Sequence, residues 1–199
     1  MSRRSLRCVA CFVYLVVAVP AFAGTLLYSN GPINGNINAW TINYGYEVSN
    51  TYTISQSAGW AQVGLWLFPG DTVTSISWAF GTNYLLSDIS SGTSPVYVTN
   101  LYINSYGVQI AEASFRVNAP AGSGWLTLYN AVATSGDIVF WDENDGPSSA
   151  WSGGPASTSP GPIGSESFQL YTVPEIGTLL SLGSGVIGMA GVLRRKLLY

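Results

Sequence analysis

The sequence predicts an all-β body, an antiparallel β-sandwich or jelly roll, on three observations. Apolar residues alternate with polar ones over short runs, turn signals carrying Gly and Pro separate the runs, and no stretch of the body shows a helical period. Composition points the same way: 9% of the 199 residues are charged, 13% are aromatic and 23 are Gly, which suits strands and turns better than surface helices.

Taken in order, Val48, Tyr52 and Ile54 alternate with polar residues, as do Ile76, Trp78 and Phe80. Val96 and Val98, Leu101 and Ile103, Val108 and Ile110, and Phe115 and Val117 continue the pattern. A period of two with one apolar face means half-buried antiparallel strands. Residues 63–68, 125–129, 137–141 and 167–171 are further strand candidates. Phe68-Pro69-Gly70-Asp71, Ala119-Pro120-Ala121-Gly122 and Ser135-Gly136-Asp137 supply turns at sandwich spacing. Residues 148–164, rich in Ser, Gly and Pro, read as one long loop before the last strand.

Charge is concentrated at the two ends. Arg3, Arg4 and Arg7 precede the body, Arg194, Arg195 and Lys196 follow it, and Arg116 is the only basic residue between them. A body so poor in cations cannot neutralise a phosphate backbone, so no nucleic-acid partner is expected. Both cysteines, Cys8 and Cys11, fall in the N-terminal hydrophobic segment, and the chain has no histidine. A Ser-His-Asp triad, a Cys-His pair and a His-ligated transition metal are therefore beyond the body.

Residues 1–23 read as a signal peptide. A cationic start leads into an apolar stretch over 8–19, and Ala21-Phe22-Ala23 places small residues where signal peptidase needs them. Cleavage after Ala23 leaves Gly24 as the first residue of an ectodomain over 24–172. At the other end, residues 176–193 form an uncharged, mostly apolar run, just long enough as a helix to cross a hydrocarbon core of about 30 Å. Arg194, Arg195 and Lys196 follow at once, and the positive-inside rule keeps them cytoplasmic with the body on the far side. Gly177, Ser181 and Gly185 recur at every fourth position; they either offer a face for close helix approach or simply keep the span weakly hydrophobic.

Val173-Pro174-Glu175, the Gly-rich apolar run and the basic end together resemble a PEP-CTERM sorting tail over residues 173–199, with Ile176 where the family usually has a second proline. The resemblance implies a substrate of exosortase, a membrane-embedded cysteine transpeptidase of Gram-negative bacteria, often encoded by organisms that make exopolysaccharide. It implies passage through the inner membrane and delivery to the cell surface or extracellular matrix. YSNGPING at 28–35 and WDENDGPS at 141–148 more loosely resemble stretches of uncharacterised PEP-CTERM ectodomains, which implies a shared fold and assigns no activity.

The densest polar cluster is Asp142, Glu143, Asn144 and Asp145, flanked by Trp141 and Trp151. Oxygen ligands in one loop suit Ca²⁺, with Asp142, Asn144 and Asp145 as candidate ligands, although Gly146 and the missing downstream Glu rule out an EF-hand. The same residues also suit a turn capped by its own side chains. Trp40, Trp60, Trp141 and Trp151 lie near predicted turns and are candidates for stacking on a sugar, whereas Trp78 belongs to a core stripe. The expectation is a non-enzymatic, saccharide-binding or adhesive surface protein with no obligatory cofactor. The alternative is a glycan-active enzyme, which needs two carboxylates meeting across one cleft.

Overall fold

The alternation at Val48, Tyr52 and Ile54 becomes one side of an antiparallel ladder, and the same holds along most of the body. A computed structural model describes residues 24–173, which form one compact unit, Gly24–Val173. The predicted signal peptide, the apolar span and the sorting-motif residues Pro174, Glu175, Arg194, Arg195 and Lys196 lie outside the described residues. Among the described residues there is no helix; all regular structure is strand.

Thirteen strands form one curled antiparallel sheet. They are β1 (Leu26–Ser29), β2 (Ala39–Thr41), β3 (Glu47–Ile54), β4 (Ala58–Leu67), β5 (Val73–Gly81), β6 (Ser90–Ile103) and β7 (Gln109–Ala119). The rest are β8 (Gly122–Ala133), β9 (Phe140–Asn144), β10 (Ala150–Gly153), β11 (Gly161–Ile163), β12 (Ser165–Glu166) and β13 (Phe168–Tyr171). The main path runs β1-β13-β4-β7-β6-β5-β8-β3-β10-β11.

The curl passes through β6. Its first half, up to Pro95, pairs with β5, while the stretch from Val96 pairs with β7, so one strand serves both halves of the sheet. The apolar faces of the two halves share a single core. Leu65, Phe115 and Phe168 come from one half, Val48, Ile76, Phe80, Leu126 and Leu128 from the other. Tyr52 meets Phe80 edge-on at 5.4 Å between ring centroids, a geometry that suits the ring quadrupoles. Each such side chain contributes about 1.5–3 kcal/mol by leaving water.

The predicted turns fall between strands. Asp71 N–H donates to Phe68 O at 3.0 Å, with Pro69 and Gly70 in the corner, and Gly70 takes φ +87°, the left-handed value a type II turn needs. The Asp71 carboxylate then ties this turn to the one after β8. It accepts from Thr72 N at 2.7 Å, Thr134 Oγ1 at 2.5 Å, Ser135 N at 3.1 Å and the Ser135 hydroxyl.

Two expectations change. Residues 148–164 are not one long loop: β10 and β11 lie within them, and Trp151 pairs with Ser49 on β3. The strand expected over 137–141 is shifted to Phe140–Asn144, so the acidic segment expected in a loop begins on a strand. That strand shares an edge of β4 with β13, since Leu65 and Trp66 pair with Trp141 and Phe140 while residues 60–63 pair with β13. β2 and β12 complete the region by pairing with β9.

Candidate functional site

The segments 28–35 and 141–148, more than a hundred positions apart, meet side by side. Gly31 and Gly35 both take positive φ, which lets the chain leave β1 in a tight loop, and a Cβ on Gly35 would run into the Tyr102 hydroxyl and Ile110. The loop is fastened by β9. The buried Asp142 carboxylate accepts from Asn34 N and Gly35 N, each at 2.8 Å, and from Trp66 Nε1 at 2.6 Å. Asn144 donates through Nδ2 to Asn30 O at 2.8 Å and Pro32 O at 3.1 Å, while its Oδ1 accepts from Gly146 N and Ser165 Oγ. Asn30, fully buried, donates to Ser165 Oγ at 2.9 Å and Glu166 O at 2.5 Å and accepts from Ser148 N. Buried amides and carboxylates bonded this completely rigidify a fold.

Beside this junction lies a buried acid without a partner. Glu166 pairs across β12 and β9 with Glu143, is fully buried, and neither of its carboxylate oxygens has a hydrogen bond. Burial, with the charges of Glu143 and Asp142 next in weight, pushes the Glu166 carboxyl well above the usual carboxylate range. Glu143 itself accepts from Trp40 Nε1 at 2.7 Å.

The fastened loop forms one wall of a cleft on the outer side of the sheet. There β4 presents Trp60, Gln62, Gly64 and Trp66, the positions alternate to its buried Ala61, Val63, Leu65 and Leu67. A cleft of about 290 Å³ is lined by Gln62 and Gly64 of β4, Glu112 of β7, Leu101 of β6 and Gln169 of β13, with residues 31–33 as its wall. The volume is near the lower end for small-molecule sites, roughly 300–1,000 Å³. Gly64 makes the approach possible, because a Cβ there would collide with the Ser167 hydroxyl and press on Asp142 and Ile33.

The polar groups in the cleft retain bonding capacity. The Glu112 carboxylate has no hydrogen-bond partner among the described residues, and burial pushes it above the ordinary value. The Ser167 hydroxyl, also part of the lining, is buried without a partner. The Gln62 and Gln169 carboxamides flank the Tyr171 hydroxyl, which donates to Gln62 Oε1 at 3.0 Å and also contacts Gln169 Oε1. Their NH₂ groups make only long contacts, 3.5 Å to Ser114 Oγ and 3.4 Å to Ser29 Oγ.

Aromatic rings stand at both ends of this stretch of β4. Trp60 faces Tyr97 at 6.4 Å between centroids, and the Arg116 guanidinium lies over the Trp60 ring at 5.2 Å. Beyond Gly64, Trp66 stacks on the exposed Tyr106 at 5.9 Å. The Tyr102 hydroxyl donates to Asn34 O at 2.9 Å between them, bridging β6 to the loop. A second hollow, of about 550 Å³, lies among Tyr44, Tyr46, Phe68 and Ile138, but it offers one carboxylate, Asp137, and no carboxamide.

The residues singled out in the sequence are thereby placed. Trp141 is in the core, its indole donating to Ser167 O at 2.9 Å, so it is not displayed to a ligand. Asp142 and Asn144 spend their oxygens on the protein's own donors, and Asp145 is exposed. Trp151 stacks on Tyr84 at 4.3 Å on the other half of the sheet, away from the acidic segment it was grouped with. No group of three or more acids able to hold a metal occurs among the described residues. Gln62 and Gln169 were missed; the outward positions Trp60, Gln62 and Trp66 of β4 and Gln169 and Tyr171 of β13, polar or aromatic, were the available signal.

No protein-family model matches the chain, and no curated protein matches it.

Proposed function

We propose that the chain is an exported envelope or matrix protein whose β body binds saccharide at the cleft beside Gly64 without transforming it. The observation that carries this reading is the convergence of Glu112, Gln62 and Gln169, with bonding capacity to spare, on one cleft, with Trp60 two residues along β4 from Gln62 on the same side of the strand. Sugar hydroxyls both donate and accept, which carboxylates and carboxamides satisfy together, and the C–H faces of a sugar ring pack on aromatic rings. Glu112 is the one carboxylate in the cleft lining, whereas glycoside hydrolysis calls for two. Glu166 and Glu143 do form a carboxylate pair, but Glu166 is sealed from solvent.

The curl through β6, with the core between the two halves, supports reading the body as a β-sandwich of jelly-roll type. Export rests on Ala21 and Ala23 as the signal-peptidase site; cleavage there leaves β1, which begins at Leu26, intact. Sorting rests on the resemblance of residues 173–199 to an exosortase substrate tail, and on Val173, at the end of the body, being 60% exposed. The tail then holds the protein in the inner membrane until it is cut. A glycan array probed with residues 24–173 tests the binding, with Trp60→Ala expected to weaken every hit. Failure of all glycans to bind the folded fragment would overturn it. Mass spectrometry of the surface form tests the sorting, and an intact segment 176–199 there would contradict it.

A further inference from the structure

We infer that the cleft beside Gly64 selects uncharged sugars and turns away sugars that carry a carboxylate, sulfate or phosphate, with Glu112 as the residue that sets the choice. The inference rests on the saccharide reading and narrows it to a ligand class.

Glu112 is the charged group in the cleft lining, and its oxygens are free of internal hydrogen bonds among the described residues. An ionised carboxylate accepts and never donates, so its natural partners are sugar hydroxyls. An acidic sugar at that position would set one acceptor-only anion against another. Among the described residues the one basic side chain, Arg116, makes no ion pair with it. Arg116 is the only basic residue between positions 24 and 173, and it stands four residues along β7 from Glu112, about 13 Å at strand spacing. The Arg116 guanidinium is engaged elsewhere, lying over the Trp60 ring.

The rest of the body adds to the same field. Of the chain's ten acidic residues all but Glu175 lie between positions 24 and 173, against that single arginine. Net negative charge slows the approach of any polyanion. Next to the cleft, burial first and then the Glu112 charge push the Tyr171 hydroxyl above its ordinary value. Gln62 and Gln169 complete the match, since carboxamides donate and accept and so suit neutral hydroxyls on both counts.

The test uses full-length protein in a zwitterionic detergent without a sugar headgroup. Its probes are uronate-containing oligosaccharides, each compared by calorimetry with its carboxyl-reduced and otherwise identical form, alongside neutral glucan and mannan fragments. Neutral forms should bind at least tenfold more tightly than their uronate counterparts at low salt, with the ratio shrinking as salt is raised. Glu112→Gln should narrow that ratio several-fold at a melting temperature no lower than the parent's, because the Glu112 carboxylate makes no internal hydrogen bond among the described residues and its burial disfavours the charge. Uronates binding as tightly as their neutral forms would overturn the inference and leave saccharide binding standing. So would a ratio unmoved by both salt and Glu112→Gln. Binding of no sugar at all would take down both readings.

Discussion

Trp66 Nε1 donates to Asp142 Oδ1 at 2.6 Å, and that same carboxylate holds the Asn34 and Gly35 amides at 2.8 Å. One buried acid on β9 therefore sets both an aromatic platform on β4 and the loop that walls the cleft. The acidic segment builds the site from behind, and its side chains do not face into it.

Replacing Asp142 with Ala leaves three donors without their acceptor. A buried unsatisfied group costs about 1–3 kcal/mol; the Gly35 amide is buried while Asn34 and Trp66 are half-buried and recover water, so the variant should lose about 1–3 kcal/mol. Asp142→Asn, which keeps one acceptor oxygen, should lose less. Urea unfolding measures both, and an Asp142→Ala variant as stable as the parent would show that the clamp contributes little.

Asp71 governs the acid limit. Burial raises its carboxyl, but hydrogen bonds from Ser135, Thr134 and Thr72 outweigh that and hold it at about 2. The folded value is depressed, so the stability Asp71 contributes is fully present above the ordinary range near 3.9 and is lost as pH falls toward 2. The gap between wild type and Asp71→Asn should be constant from pH 7 to 5 and then close in acid. A gap that is level down to pH 2 would contradict the assignment.

Glu166 acts with the opposite sign. Its carboxyl is raised in the fold, so between the ordinary carboxylate range and the folded value the native state holds a proton that the unfolded chain has released. Stability linked to this group is highest in acid and falls as pH rises through that window. Glu166→Gln, which cannot ionise, should gain on wild type as pH rises from 4 to 7. Thermal melts across that range measure it, and a difference independent of pH would show that Glu166 keeps no proton.

β3, β5 and β7 could be read from the sequence because their apolar residues alternate with small or polar ones over five or more positions. β2, β10, β11 and β12 could not. At two to four residues they have no measurable period, and their pairing is decided by neighbours distant in sequence: β3 for β10, which in turn holds β11, and β9 for β2 and β12. The acidic segment was misplaced for a different reason: Asp142 and Asn144 are polar and buried, and hydrophobic patterning counts a polar residue as exposed. The two segments 28–35 and 141–148 were both visible as motifs, but their contact depends on long-range pairing that no local signal carries. Glu112 has nothing in the sequence to mark it out among the body's nine acids. Its place opposite Gly64 follows from the register of β4 and β7.

The most direct test of the account is a two-dimensional NMR titration of isotope-labelled residues 24–173 with a neutral oligosaccharide found to bind. The account predicts shifts in the side-chain amides of Gln62 and Gln169, the indole of Trp60 and the backbone of residues 31–33, with Trp141 and Trp151 unmoved. Shifts confined to the hollow at Tyr44, Tyr46 and Phe68, or to Trp151 and Tyr84, would contradict it.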